Sequence, residues 1–306
     1  MEMNDILPDF VWWSRRGFQG TYADIDTIDN CMDERHFKAY PWPVHYVHNS
    51  RGYRDQEWPE SAAELKQCVW CFGDSFTVGF GSPRDHTWTF LLQQQLQRRC
   101  VNVSINGISN EWIVRKFRSL LTQVVPDTVV IHWTYTHRRE LRDFNLLAVA
   151  NEYWKTFYNN VKAEEWPQDV DLQDFNKLPG YIQDEIKNIH YTPGLDRFEF
   201  DQSYEGMYDE DRVVHYSSDT EEQDTENAIE CIDQTQKLAE HHGIKLIHSF
   251  IPLFAKTAQA DIIVQHMLQQ DLKLVQPLVR LDLARDGLHY DIKTATHLVQ
   301  QIIQLI

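Results

Sequence analysis

The chain has 306 residues, 42% apolar and 25% charged, an ordinary globular composition that suffices for one large domain or two small ones. Its formal net charge is −17 and no run of Lys and Arg builds a basic face, which argues against nucleic acid as a partner. No stretch approaches the roughly 20 apolar residues of a membrane span, and the opening MEMNDILPDFVWWSRRG lacks the basic-then-apolar order of a secretory signal.

Residues 1–65 carry little periodicity. The stretch AYPWPVHYVHNSRGYRDQEWPES, with Pro41, Pro43, Gly52 and Pro59, reads as an irregular arm with one short strand near Val44–Val47, wrapping a main domain that begins at 66. From Cys68 the texture changes. CVWCF is an all-apolar run, as expected of a strand buried on both faces. HTWTFLLQQQLQRR, with Trp88, Leu91, Leu92 and Leu96 at helical spacing, predicts a helix. CVNVSI is a second strand, NEWIVRKFRSLLTQVV a second helix with Ile113, Phe117, Leu120, Leu121 and Val124 on one face, and DTVVIHWTYT a third strand. Strand and helix alternating in this way predicts a parallel sheet.

Between about 141 and 218 the rhythm lapses into a stretch that looks helical at its start and then acidic, aromatic and turn-rich. It reads as an insertion capping one end of the sheet and shaping a pocket. SSDTEEQDTENAIECIDQTQKLAEHHG has polar caps, acids in its first turn and Gly243 at its end, so the acidic run reads as the solvated start of a helix. IKLIHSFIP is a fourth strand and PLVRLDL a fifth. DIKTATHLVQQIIQLI closes the chain as an amphipathic helix with Ile292, Ala295, Leu298, Val299, Ile302, Ile303 and Ile306 inward.

The five cysteines (31, 68, 71, 100 and 231), odd in number and scattered, read as reduced thiols of an intracellular protein. Cys68-Val69-Trp70-Cys71 is formally C-x-x-C, but inside a strand the two thiols point to opposite faces, unlike a redox motif at a helix start. Fourteen histidines include the His241-His242 pair, and His132 and His137 flank the third strand's end, yet no zinc-type spacing occurs, so no metal is expected. GFGSP completes no phosphate loop, and the stretch around Ser75 is not the G-x-S-x-G elbow of α/β-hydrolases.

The first core strand stops on Gly73-Asp74-Ser75. Ligands of open parallel sheets sit outside the carboxyl ends of the strands, so Ser75 projects where chemistry is expected. Gly73 allows the tight exit and Asp74 can bond nearby backbone to fix the turn, with the next helix expected only after FTVGFGSPRD. A serine needs a base, and the base an orienting group. RDGLHYD, before the last helix, supplies both: Asp286 and His289 lie three residues apart on one loop at the same end of the sheet. Asp286 can hold one ring nitrogen while the other faces the serine.

These two blocks, Gly73-Asp74-Ser75 and Asp286-Gly287-Leu288-His289, resemble the first and last blocks of the SGNH, or GDSL-type, hydrolase superfamily. The resemblance covers about 68–140 and 240–306. It implies an α/β fold, a three-layer α/β/α sandwich on a five-stranded parallel, flavodoxin-like sheet, and a serine esterase with no cofactor. Its substrate would be a small-molecule or carbohydrate ester such as an O-acetyl sugar, or a lipid ester. It implies catalytic Ser75, His289 and Asp286, with an oxyanion hole from the N–H of Ser75 and of Gly107 or Asn110 in INGISNEW. The family's third block usually brings an Asn; here Tyr135 stands in its place in HWTYTHRRE, so Tyr135, Thr134 or Asn110 replaces that donor or the hole is weakened. Arg138, Arg139 and Glu140 form either a polar rim or plain surface pairs. The texture is also similar to GDSL-type proteins of marine phages and bacteria, which would place a phage-encoded copy in the virion. A degenerate binding protein on the same fold and an O-acyltransferase are the competing expectations.

Overall fold

The computed structural model describes residues 6–7, 10–12, 15–138, 220–252 and 258–306. The insertion expected over 141–218, with Arg139 and Glu140, lies outside the described residues. Four strands form a parallel sheet: β3 (Val69–Gly73), β4 (Cys100–Ser104), β5 (Thr128–Trp133) and β6 (Lys245–Phe250), in the order β4-β3-β5-β6. Val69 is level with both Cys100 and Thr128, and Thr128 with Lys245, so the carboxyl ends line up at one edge. Every residue of β3, β4 and β5 is buried, the reason these segments read as unbroken apolar runs.

Strand order fixes the helix layers. From β3 the chain steps one way to β4, then doubles back past β3 to β5 and on to β6. Right-handed crossovers therefore put the first connecting helix on one face and the later two on the other. That first helix, α4 (Trp88–Leu96), packs against the last, α8 (Ile292–Leu305). On the other face α5 (Asn110–Leu121) packs on α6 (Glu221–His242), and α6 on α7 (Ala258–Gln269). The reversal of direction falls between β3 and β5, and in such sheets the crevice opens at the carboxyl ends of those two strands.

Helix grammar accounts for the ends. Ser109 Oγ accepts from Trp112 N–H to start α5, and Thr220 and Gln223 form a reciprocal capping box at the start of α6. The acidic run thus opens a helix, as its composition predicts. Among the described residues no helix is long and apolar enough to cross a membrane.

The arm is more ordered than its sequence suggests. It carries β1 (Gln19–Gly20) paired antiparallel with β2 (Tyr46–Val47), and the short helices α1 (Glu34–Ala39) and α2 (Ala62–Gln67). Phe10 and Trp58 pack edge-on against Trp70 of β3, so arm and sheet share one core.

Two expectations change, and one helix is new. PLVRLDL is not a strand: among the described residues the sheet has four strands, and next to β6 only an isolated bridge joins Leu274 to His248. Pro277 has no N–H to give, Leu281 N–H turns to Thr294 Oγ1 at 2.8 Å, and Val279 and Leu281 are exposed. The stretch instead supplies Asp282, whose carboxylate accepts from the N–H groups of Asp291, Lys293 and Thr294 and caps α8. Ile303, expected inward, is exposed. The helix α7 has no clear mark in the sequence, because its buried stripe of Ala260, Ile263 and Met267 is blurred by exposed Ile262 and Leu268.

Three of the buried histidines are held neutral by this framework. Burial holds His132 down to about 4 and His248 to about 3, while burial and the nearby Arg15 and Arg54 hold His48 at about 3. Trp133 Nε1–H donates to His248 Nδ1 at 3.1 Å, which requires a neutral ring. These folded values lie below the ordinary value near 6.5, so the unfolded chain binds protons that the folded chain refuses. Their contribution to stability is complete above about pH 6.5 and is lost progressively as pH falls toward 4. Urea unfolding is expected to show at least about 2 kcal/mol less stability at pH 5 than at pH 7, since a tenfold difference in proton affinity between folded and unfolded chain is worth about 1.4 kcal/mol. Equal stability at both values would show that these rings protonate without cost.

Candidate active site

Two loops at the carboxyl edge of the sheet carry the candidate residues. The first leaves β3 at Gly73. A Cβ there would stand 2.0 Å from Thr77 Oγ1, so only glycine lets the chain turn directly into α3 (Ser75–Val78). This one-turn helix begins at Ser75 itself, earlier than expected from sequence. Asp74 caps it, Oδ1 accepting from Phe76 N–H at 3.0 Å. Ser75 sits at the first helical position, where a backbone N–H has no intrahelical acceptor.

The second loop, after the irregular stretch, carries Asp286 and His289. Asp286 Oδ1 accepts from the N–H groups of Leu288 and His289, each at 3.0 Å, and Oδ2 meets His289 Nδ1 at 2.6 Å. Three-residue spacing thus does bring carboxylate and imidazole together, with both side chains buried. Nδ1 being committed, Nε2 is the atom left for proton transfer; it is buried and makes no hydrogen bond.

The loops press together. The Phe76 ring lies 4.5 Å from the His289 ring, centroid to centroid, and Arg285 N–H donates to Gly81 O at 2.8 Å. Gly81 has φ +71°, and a Cβ on it would come within 2.9 Å of Asp286 Cγ and of its backbone nitrogen. Ser75, buried itself, therefore sits one residue from a side chain that touches the imidazole, although Ser75 Oγ and His289 Nε2 are not hydrogen-bonded to each other.

The remaining candidates gather at the end of β5. Gly107 lies in the turn before α5, at φ +71°, and Asn110 is the first residue of that helix. The Asn110 amide clasps the Thr134 backbone: Oδ1 accepts from its N–H at 3.1 Å and Nδ2 donates to its carbonyl at 3.4 Å. Thr134 Oγ1–H donates to Asp74 Oδ2 at 2.5 Å. Both side chains are thus already engaged in holding the crevice wall, and the backbone N–H of Asn110, at a helix start, is a further donor. Tyr135 is half-buried, with the Arg138 guanidinium 4.7 Å above its ring.

Sequence reasoning missed what Arg138 does. Its Nη1 donates to Asp74 Oδ2 at 2.9 Å and to Thr134 Oγ1 at 2.8 Å, a largely buried ion pair on the carboxylate that adjoins Ser75, and no surface pair. No sequence signal joins residues 64 apart. A second buried carboxylate has no sequence signal either: Asp291 takes His86 Nδ1 at 2.8 Å, Ser82 Oγ–H at 3.0 Å and Tyr40 O–H at 2.5 Å, tying the Ser75 loop to the start of α8. Among the described residues no three His, Cys, Asp or Glu side chains gather to hold a metal. The five cysteines are all free, and burial raises the Cys68 thiol to about 11, a poor thiolate.

Neither the known protein-family models nor the curated proteins hold a match to this chain. Among solved structures it is similar to a candidate lipolytic protein of the G-D-S-L family from Desulfitobacterium hafniense DCB-2, at 12% identity over 78% of this chain and 99% of that one, with TM-score 0.41. TesA aligns at 14% identity over 78% of this chain and 97% of its own, with TM-score 0.43. A GDSL-like lipase from Bacteroides thetaiotaomicron VPI-5482 aligns at 12% identity over 79% and 88%, with TM-score 0.38. The named sources are bacteria and lend no support to the phage likeness. The chain is similar to GDSL-type hydrolases.

Replacing Asp74 with Asn keeps the acceptor for Phe76 N–H but strands the Arg138 charge. The D74N variant is expected to lose about 3 kcal/mol in urea unfolding, the usual scale for breaking a buried pair. Adding R138M should then cost little more, so the two effects should be far from additive. Additive losses would show that the pair does not act as a unit.

Proposed function

We propose that the protein is a serine esterase. Ser75 Oγ attacks an ester carbonyl and His289 Nε2 takes its proton. Asp286 holds Nδ1 in the donating tautomer and stabilises the imidazolium that forms. The N–H groups of Ser75 and of Gly107 or Asn110 receive the negative charge on the carbonyl oxygen. His289 returns the proton to the departing alcohol, and water then attacks the acyl-enzyme by the same route in reverse.

The observation that carries this reading is the buried Asp286–His289 pair with Nε2 left unbonded, on a loop packed against the one that bears Ser75. A buried ring nitrogen without a partner is costly, which favours a reserved role over a structural one. The proposed substrate class is a small-molecule or carbohydrate ester, an O-acetyl sugar or a lipid ester, and no cofactor takes part. The arm-braced unit from about residue 66 to the end is proposed as the catalytic domain.

One observation favours a second reading, a binding protein that has lost turnover. No Asn stands at the third block, where Tyr135 falls, and two of the three side chains proposed to replace it, Thr134 and Asn110, are engaged in structural bonds. Loss of one oxyanion donor typically costs about 100- to 1000-fold in rate. A fluorophosphonate reagent separates the two. An esterase is labelled stoichiometrically at Ser75 and hydrolyses p-nitrophenyl acetate, and Ser75→Ala abolishes both. An unlabelled parent, or an S75A variant as active as the parent, would refute the esterase.

A further inference from the structure

We propose that the N-terminal arm positions the two loops of the site, with Tyr46 and Asp26 as positioning residues. The Tyr46 hydroxyl is the hinge of this arrangement. It accepts from Gly81 N–H at 2.8 Å and donates to Asp26 Oδ2 at 2.5 Å. The same Asp26 carboxylate takes the Arg285 guanidinium in a two-pronged pair, at 3.1 Å from Nε to Oδ1 and 2.6 Å from Nη2 to Oδ2. Arg285 N–H then returns to Gly81 O, which closes a ring of bonds: Gly81, Tyr46, Asp26, Arg285 and back to Gly81.

That ring spans the chain from residue 26 to 285 and grips both loops at the points where they touch. Gly81 follows the Ser75 helix by three residues and lies against Asp286; Arg285 immediately precedes Asp286. Asp26 and Tyr46 are fully buried, so the hydroxyl bond is shielded from water and the charge-assisted pair to Arg285 is anchored on a buried carboxylate. A second arm residue grips the same loop. Arg54, wholly buried, donates to the carbonyls of Val78, Gly79 and Ser82, and its guanidinium lies 4.3 Å above the Tyr46 ring. These links from the arm set the separation between Ser75 and His289, while neither Tyr46 nor Asp26 belongs to the proposed catalytic set.

The consequence for rate rests on the esterase reading; the coupling of the loops does not. Tyr46→Phe keeps the ring and removes the hinge, and Asp26→Asn keeps the shape and removes the charge. In both variants the rate constant for fluorophosphonate labelling of Ser75 is expected to fall about 10- to 100-fold, the scale of an ångström-sized misplacement. Final labelling should stay stoichiometric, and kcat should fall with KM unchanged. Amide hydrogen exchange should rise together in 79–82 and 284–289, with β3 and β5 unchanged. Labelling at the parental rate, or loosening of only one loop, overturns the proposal. A parent that takes no label defeats the esterase reading, and exchange alone then decides: coupled loosening sustains the brace and its absence overturns it.

Discussion

The structure depends on a contact with no side chain on one side of it. Gly81 lies so close to Asp286 that a methyl group would not fit, and its amide and carbonyl are both bonded, one to Tyr46 and the other to Arg285. This is where the loop after β3 meets the loop before α8. Everything proposed for Ser75 and His289 requires those loops to keep a fixed spacing, because proton transfer demands hydrogen-bond reach. The parallel sheet brings the two loops to one edge, and the arm sets the final distance.

Charge is arranged around this contact in a consistent way. Asp74, Asp26 and Asp286 are all buried, and each has partners: Arg138 with Thr134, Arg285 with Tyr46, and His289 with two backbone N–H groups. Buried carboxylates are tolerable only when so satisfied. His132, by contrast, is kept neutral by burial despite Asp74 nearby, with Ser249 Oγ 2.7 Å from Nδ1. Its ring fills space between Trp88 and Tyr290 beneath the site and carries no charge into it. His289 instead gives one ring nitrogen to the Asp286 carboxylate and keeps the other buried and unbonded, an asymmetry that suits a base better than a packing histidine.

Legibility in the sequence followed the range of the interaction. The parallel sheet was readable because Val69–Phe72, Val101–Val103 and Val129–Trp133 are buried and almost wholly apolar. The Asp286–His289 pair was readable because both residues lie on one short loop. Neither the Asp74–Arg138 pair nor the Asp26–Arg285 pair leaves any mark on local pattern, since their partners meet only after the sheet has formed. PLVRLDL misled for a related reason: its β-branched and leucine residues fit a strand, but Asp282 is claimed by the start of α8 and the backbone follows it. The arm looked irregular because its order comes from polar side chains gripping backbone, as Arg54 does, and such bonds have no period.

The most direct test is a crystal structure of the protein after reaction with a small alkyl fluorophosphonate. Phosphorus is expected bonded to Ser75 Oγ, with the phosphoryl oxygen facing the N–H groups of Ser75 and of Gly107 or Asn110, and His289 Nε2 within about 3.2 Å of an adduct oxygen while Nδ1 remains on Asp286. An adduct on another residue, or on Ser75 with the His289 ring out of reach, would contradict the esterase reading.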